Sequence, residues 1–421
     1  MTKTVTFEKI VGGGKAMGYL DGKPVFASGP LPGEIAEVEI IKDKPGFAGG
    51  VVVALTQVSP RRNGEPEAHY LSCSPWQNVD YEYQLELKKQ VLAEAFGRPG
   101  IDVPVLEIVA SDKLDGYRNK LEFSLKAGEA GLDLAFHARG SYEELVCLPD
   151  GCKLGHPDMN AAALNLAQLA HALKLDGYIE TLTVRRSETT GEMLGHIALH
   201  QVPKKRDWAK LKTGEFSSVV VSRVRRRVDH ELVWTSGLTS LTESIGGLSL
   251  IYPYDGFFQT NIDMFEKILE TIIAEVPDGG RLIDLYGGVG TIGLSAATKA
   301  SEVVGVEINA SSVDMAKENA DRVGIQNYQA LQTPAQHLDP KVLAGADCII
   351  VDPPRAGLEL RVVNEILTAA PRRIIYLSCN PVTQARDWQL LSGAYKTTGV
   401  TGYDMYPGTL HLESLMILDR I

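Results

Sequence analysis

Apolar residues recur along this chain with three different rhythms, and each predicts a different kind of domain. In residues 1–58 they come in short runs separated by turn residues. Strands are predicted over 23–27, 36–41 and 46–53, with Leu31-Pro32-Gly33-Glu34 and Lys42-Asp43-Lys44-Pro45 as turns. Strands so short and closely spaced suggest a small β-barrel. Ser59-Pro60-Arg61-Arg62-Asn63-Gly64 breaks the pattern and marks its end.

Residues 59–249 read as an α+β middle domain. A helix is predicted over 81–96, with Leu85, Val91, Leu92 and Ala95 at helical spacing and Gly97 with Pro99 as its stop. Strands follow over 121–125, 132–136, 180–185 and 217–222, with a helix near 159–173. From residue 250 strands and helices alternate. Helices are predicted over 265–276, 290–300 and 312–323, and strands over 281–285, 303–308, 348–351 and 374–377. That alternation predicts an α/β, Rossmann-like domain over 250–421, a doubly wound parallel sheet with its ligand site at the first strand-to-helix turn.

The composition, 44% hydrophobic and 23% charged over 421 residues, is that of a globular protein of two or three domains. The opening MTKTVTFEKI has no apolar signal core, no segment is apolar for a membrane-spanning length, and five scattered cysteines do not make a disulfide framework. A cytoplasmic protein without a membrane partner is expected. The net charge of −11 argues against a nucleic-acid partner when taken alone. Local runs oppose it: Arg223 to Arg227, Lys204-Lys205-Arg206, and the pairs Arg61-Arg62 and Arg185-Arg186 suggest a basic face in the amino-terminal half.

Candidate chemistry concentrates in the last domain. Gly288-Val289-Gly290-Thr291-Ile292-Gly293 fits a nucleotide-binding turn, with Glu307 placed to grip ribose hydroxyls. The turn opens at Asp284, a carboxylate that would repel a pyrophosphate but suits the cationic amino-acid end of S-adenosylmethionine. Asn309-Ala310-Ser311-Ser312 is a polar helix start able to border an adenosine. Cys379, in Tyr376-Leu377-Ser378-Cys379-Asn380-Pro381, falls at a strand's carboxyl end in a polar turn, where a thiol is a candidate nucleophile. Cys348, at a strand start, reads as a core thiol.

Five motifs occur in order: Phe257-Phe258-Gln259-Thr260-Asn261, the glycine turn, Asp352-Pro353-Pro354-Arg355, Ser378-Cys379-Asn380-Pro381, and Met405 to Ser414 with His411-Leu412-Glu413-Ser414. Together they resemble the RNA 5-methyluridine methyltransferases, over nearly the whole chain. The resemblance implies S-adenosylmethionine as cofactor and a uridine in transfer or ribosomal RNA as substrate. By the same resemblance Cys379 is the nucleophile, Glu413 the base, and Gln259, Tyr286, Glu307 and Asp352 the cofactor residues. His411 is a rival base. Gly12 to Tyr19 and Gly29 to Glu34 resemble a TRAM barrel, an RNA-binding module, and Tyr117-Arg118-Asn119-Lys120 resembles a segment facing RNA.

The family pattern breaks in the middle domain. Many members hold an iron–sulfur cluster on four cysteines, including a Cys-Gly-Gly-Cys-Gln run. Here that run reads Cys73-Ser74-Pro75-Trp76-Gln77, the first ligand's place falls near Glu67, Cys152 matches the last, and Cys147 is an extra thiol. No iron–sulfur cluster and no metal are therefore expected, and the protein is expected to be a monomer. Two rival readings are an NAD-linked oxidoreductase using the same glycine turn and an RNA-binding chaperone whose methylation is incidental.

Overall fold

The computed structural model describes residues 2–421 apart from 99, 102, 130, 227 and 228, so the Pro99 helix stop and the Arg227 end of the arginine run lie outside the described residues. Strands β1 (Thr2–Val11), β2 (Lys15–Leu20), β3 (Lys23–Ala27), β4 (Ile35–Lys44) and β5 (Phe47–Gln57) close into a barrel in the order β1-β2-β3-β5-β4. Alternate residues such as Val5 and Phe7, Val25 and Ala27, and Ala36 and Val38 point inward and are buried, the period-two pattern of a filled barrel. The β1–β2 hairpin leans on the carboxy-terminal domain. A Cβ at Gly14 would lie 2.5 Å from that of Leu410, and its φ is +73°, so this contact requires glycine.

The next helix, α1 (Tyr81–Phe96), starts where the Asp80 carboxylate accepts the Tyr83 N–H at 3.2 Å. Its buried face carries Leu87, Val91, Leu92, Ala95 and Phe96, but also Gln84 and Lys88. After it, β6 (Val105–Val109) pairs in parallel with Val400–Tyr403, at the edge of the carboxy-terminal sheet. The stretch 59–249 thus contributes a strand to that sheet, and the middle domain's own seven-stranded sheet begins at Lys120. Across that sheet α2 (Pro157–Ala172) lays Met159, Ala163, Leu166 and Ala170, all buried at helical spacing.

In the carboxy-terminal sheet the strands are β7 (Arg281–Leu285), β8 (Glu302–Glu307), β9 (Tyr328–Gln332), β10 (Cys348–Val351), β11 (Arg373–Ser378), β12 (Tyr395–Lys396), β13 (Val400–Tyr403) and β14 (Glu413–Arg420). Their order is β9-β8-β7-β10-β11-β14-β13-β6, with β12 paired to β14. β7 to β11 are parallel, and β14 runs antiparallel to β11. The chain reverses its winding between β7 and β10, which opens a crevice at their carboxyl ends. Helices α3 (Ile262–Glu275), α4 (Thr291–Ser295), α5 (Ala310–Val323), α6 (Leu360–Ala369) and α7 (Pro381–Leu391) connect or flank the strands. The helix expected over 290–300 is shorter than predicted. The Asn327 side-chain amide takes the carbonyls of Ala297 and Ala300 at 2.9 and 2.8 Å and replaces the helical donors there.

Lys88 pairs with Asp404 in full burial and also donates to the Tyr406 carbonyl at 3.1 Å, tying α1 to the loop before β14. Lys88→Met would leave the Asp404 carboxylate buried without its cation, costing about 3 kcal/mol in urea unfolding. Lys88→Met/Asp404→Leu should recover most of that loss, since no uncompensated charge remains.

Candidate active site

Strand register brings most of the candidate residues onto one shelf. Leu285 pairs with both Val306 and Val351, so Tyr286, Glu307 and Asp352, each one residue further, stand level at the ends of three adjacent strands. Val351 pairs with Tyr376, which puts Cys379 two residues beyond that level on the neighbouring strand. Ser378 pairs with Ser414 as the last pair of the antiparallel register, so Cys379 and Glu413 each adjoin that pair, and the Glu413 charge is felt at the thiol. A thiol and a carboxylate therefore come close together at the end of a shelf that begins at the glycine turn.

Local chemistry fixes each piece. Glu307 accepts the Gly288 N–H at 3.1 Å through Oε2, and those of Ile308 and Asn309 at 2.7 Å through Oε1. Asp284 accepts the Gly293 N–H at 2.9 Å through Oδ2, while its Oδ1 is buried without a partner. A Cβ at Gly293 would meet that same Oδ2 at 2.9 Å, so the approach depends on glycine. Tyr286 takes a left-handed backbone, φ 68°, an uncommon strain for a non-glycine residue and one that concentrates at ligand sites. Asn380 caps α7 through the Val382 N–H at 3.2 Å and donates to the Arg355 carbonyl at 2.8 Å, joining the Cys379 turn to the Asp352 loop. Asp387 holds that loop from below, accepting Tyr376 Oη at 2.7 Å and the Leu358 N–H at 2.8 Å.

A model of the tRNA (uracil-5-)-methyltransferase family matches residues 80–421, and one of the TRAM domain matches residues 1–53. The chain belongs to the tRNA (uracil-5-)-methyltransferase family. A relative from Caldanaerobacter subterraneus subsp. tengcongensis, named an uncharacterized RNA methyltransferase, is 31% identical over 443 residues, 99% of this chain and 98% of its own. One from Bacillus cereus (strain ATCC 10987), with the same description, is 29% identical over 446 residues, 99% of this chain and 96% of its own. The fold is similar to that of Pyrococcus abyssi tRNA (uracil-54, C5)-methyltransferase in complex with S-adenosyl-L-homocysteine. The TM-score is 0.78 at 24% identity, covering 99% of this chain and 100% of that one. As a family member the chain is an S-adenosylmethionine-dependent RNA uracil-5 methyltransferase, and the nicotinamide reading falls.

In this methyltransferase the Cys379 thiol is pushed up to about 11 by burial, then by the Glu413 and Asp352 carboxylates, with Arg355 acting against them. Burial and Asp352 raise Glu413 well above the usual carboxylate range, and Arg355 again opposes. Burial lifts Asp352 to about 7. His411 moves the other way, down to about 4, because it is buried and faces Arg355, Arg139, Lys88 and Arg118; its Nδ1 lies 3.4 Å from the Arg355 guanidinium. Arg355 thus acts on both Cys379 and Glu413. The sequence shows it inside the Asp352 loop, but nothing in that motif reveals where its charge is felt.

Gln259 enters from the segment before α3, where its carbonyl accepts the Asn119 amide at 2.9 Å. Among the described residues its own amide makes no hydrogen bond to the Glu307–Tyr286–Asp352 row. The Tyr117–Lys120 segment is largely internal. Tyr117 is buried and donates to the Pro407 carbonyl at 3.1 Å, and buried Asn119 donates to Thr260 as well as Gln259. Two of the basic residues expected on a common face also turn inward. Arg62 pairs with Glu34 at 2.6 Å, and Arg185 donates to the carbonyls of Tyr254 and Gly256. Among the described residues no helix is long and apolar enough to cross a membrane.

Proposed function

We propose that this enzyme methylates carbon 5 of a uridine flipped out of structured transfer or ribosomal RNA, through a covalent bond between Cys379 and carbon 6. The closeness of Cys379 and Glu413, which adjoin the Ser378–Ser414 pair ending the β11–β14 register, carries the reading. Carbon 5 of uracil is a weak nucleophile. Addition of the Cys379 sulfur to carbon 6 makes the ring an enolate whose carbon 5 can attack an electrophilic methyl group. S-adenosylmethionine supplies that methyl when bound. Glu413 then takes the carbon 5 proton, the carbon 6–sulfur bond breaks, and the thiolate leaves. The raised proton affinity of Glu413 suits a base, whereas His411, held at about 4, is a poor acceptor.

The cofactor is assigned to Gln259, Tyr286, Glu307 and Asp352, with Asp284 beneath. The unpartnered, buried Oδ1 of Asp284 fits a ligand donor such as an ammonium group. Glu307 has carboxylate lone pairs beyond its three backbone bonds for ribose hydroxyls. For RNA, the barrel offers a sequence-tolerant stacking platform: partly exposed Phe47, with Lys42 Nζ 5.3 Å from its ring centroid and Phe26 edge-on at 6.1 Å. The test is nucleoside mapping of 5-methyluridine across transfer and ribosomal RNA, with and without the gene. One position should lose the modification in the deletion, and position 54 of transfer RNA, the site of the Pyrococcus abyssi enzyme, is the first to inspect. An unchanged 5-methyluridine map would overturn the reading.

A further inference from the structure

The middle domain's thiols do not fit the cluster that the family resemblance implies. An iron–sulfur cluster of this kind takes four cysteine thiolates on separate irons. Here Trp76 fills one ligand's place and is fully buried in the core, and Glu67 fills another. Yet the remaining groups are not scattered. Single ligand atoms of Glu67, His69, Cys73 and Cys152 all lie within 4.8 Å of one another, a span for one ion rather than for a cubane.

The separations match one tetrahedral ion. Zinc–sulfur bonds of about 2.3 Å give a sulfur–sulfur edge of about 3.8 Å, and nitrogen and oxygen ligands at about 2.0–2.1 Å give an edge of about 3.3 Å. Cys73 and Cys152 Sγ are 3.9 Å apart, and His69 Nε2 is 3.4 Å from Glu67 Oε2. A disulfide would bring the sulfurs to about 2.05 Å. His69 supplies an independent sign. Its residue is 4% exposed, and Nε2 is buried with no hydrogen-bond partner, 3.4 Å from the Glu67 carboxylate of this group. A buried ring nitrogen without a partner is costly unless something takes its lone pair.

We propose that Glu67, His69, Cys73 and Cys152 bind a single zinc ion, a mixed-ligand structural site standing where many relatives carry an iron–sulfur cluster. Hydrogen bonds around the ligands support such a site. Gln77 Nε2 and the Lys153 N–H donate to the Glu67 carboxylate at 2.6 and 3.0 Å, and Asn160 clamps the Cys152 backbone through both its N–H and its carbonyl. The ion joins the segment before α1 to the loop before α2, which the chain separates by 79 residues between the two cysteines. That first segment braces the active-site region: the Trp76 N–H donates to the Gly408 carbonyl at 2.9 Å, in the loop leading to Glu413.

The experiment uses untagged full-length protein purified without chelator. Elemental analysis should find one zinc per chain and no stoichiometric iron or sulfide. After zinc removal, cobalt(II) titration should give the thiolate-to-cobalt charge-transfer band and the intense visible bands of a tetrahedral site, saturating at one equivalent. Cys73→Ser/Cys152→Ser should lose the charge-transfer band while still binding S-adenosylhomocysteine, which shows that the methyltransferase domain is folded. His69→Gln should keep the band and weaken cobalt binding at least about tenfold. Protein without zinc that gives no thiolate–cobalt band would overturn the proposal. So would stoichiometric iron and sulfide, or a Cys73–Cys152 disulfide that persists in reducing buffer.

Discussion

Cys379→Ala is expected to reduce methylation by at least about 10⁴-fold while leaving S-adenosylhomocysteine binding within a factor of two of the parent. The sulfur is the one atom proposed to add to carbon 6, and the residues assigned to the cofactor lie elsewhere, Tyr286, Glu307 and Asp352 at the ends of other strands and Gln259 before α3. Its removal therefore takes away the chemical step without touching the methyl donor's pocket. Single-turnover methylation of purified RNA and calorimetric binding read the two quantities separately. A mutant that still methylates at the parental rate would eliminate the thiol mechanism. The same variant tests the chaperone reading, since a dead enzyme that restores a deletion strain's phenotype would assign the biology to RNA binding.

The pH dependence of the parent follows from the same site. A thiol raised to about 11 is ionised only to roughly 3 parts in 10⁴ at pH 7.5. Raising the pH increases the thiolate, and it also favours the deprotonated form of Glu413, whose proton affinity burial and Asp352 raise. Both groups act deprotonated, so the two signs agree. The rate of 5-methyluridine formation should climb through pH 7 to 9 and fall on acidification, as measured by single-turnover kinetics with the enzyme in excess over RNA. A flat profile would mean that substrate binding resets both groups.

What the sequence carried was decided by how much of each signal is local. Most of the alternating strands and helices after residue 250 come from apolar runs bounded by glycine and asparagine, whereas β9, α6 and α7 are not marked by them. β14 was not foreseen because it opens on Glu413 and closes on Asp419 and Arg420, charges that mask a strand whose other residues are mostly buried. The inward face of α1 was only partly legible. Gln84 and Lys88 occupy core positions because their partners, the Gly408 N–H and the Asp404 carboxylate, arrive more than 300 residues later. The level row of Tyr286, Glu307 and Asp352 depends on register across three strands, which no local spacing reveals. The four residues of the zinc proposal show the opposite failure. Glu67, His69 and Cys73 have a compact E-x-H-x₃-C spacing legible in the sequence, but nothing local marks Cys152, 79 residues beyond Cys73, as the fourth member.

Glu413→Gln is expected to trap the reaction after methyl transfer. Glutamine keeps the volume and hydrogen-bonding reach of the side chain but cannot accept the carbon 5 proton, so elimination stalls with sulfur still bonded to carbon 6. Turnover should fall by about 10²–10⁴-fold, and a protein–RNA adduct carrying the transferred methyl group should persist on denaturing gels, where the parent leaves little. His411→Gln is the comparison. Its imidazole is neutral at physiological pH and weakly basic at about 4, so its loss should leave adduct release near the parental rate. The assignment turns on proton affinity. Glu413 is 6% exposed, lies in the field of Asp352 and adjoins the last strand pair before the sulfur, so burial and that charge strengthen its hold on a proton taken from carbon 5. Release of the Glu413→Gln adduct at the parental rate would remove this residue from the base role. Stalling in His411→Gln instead would move the role two residues along the same strand approach.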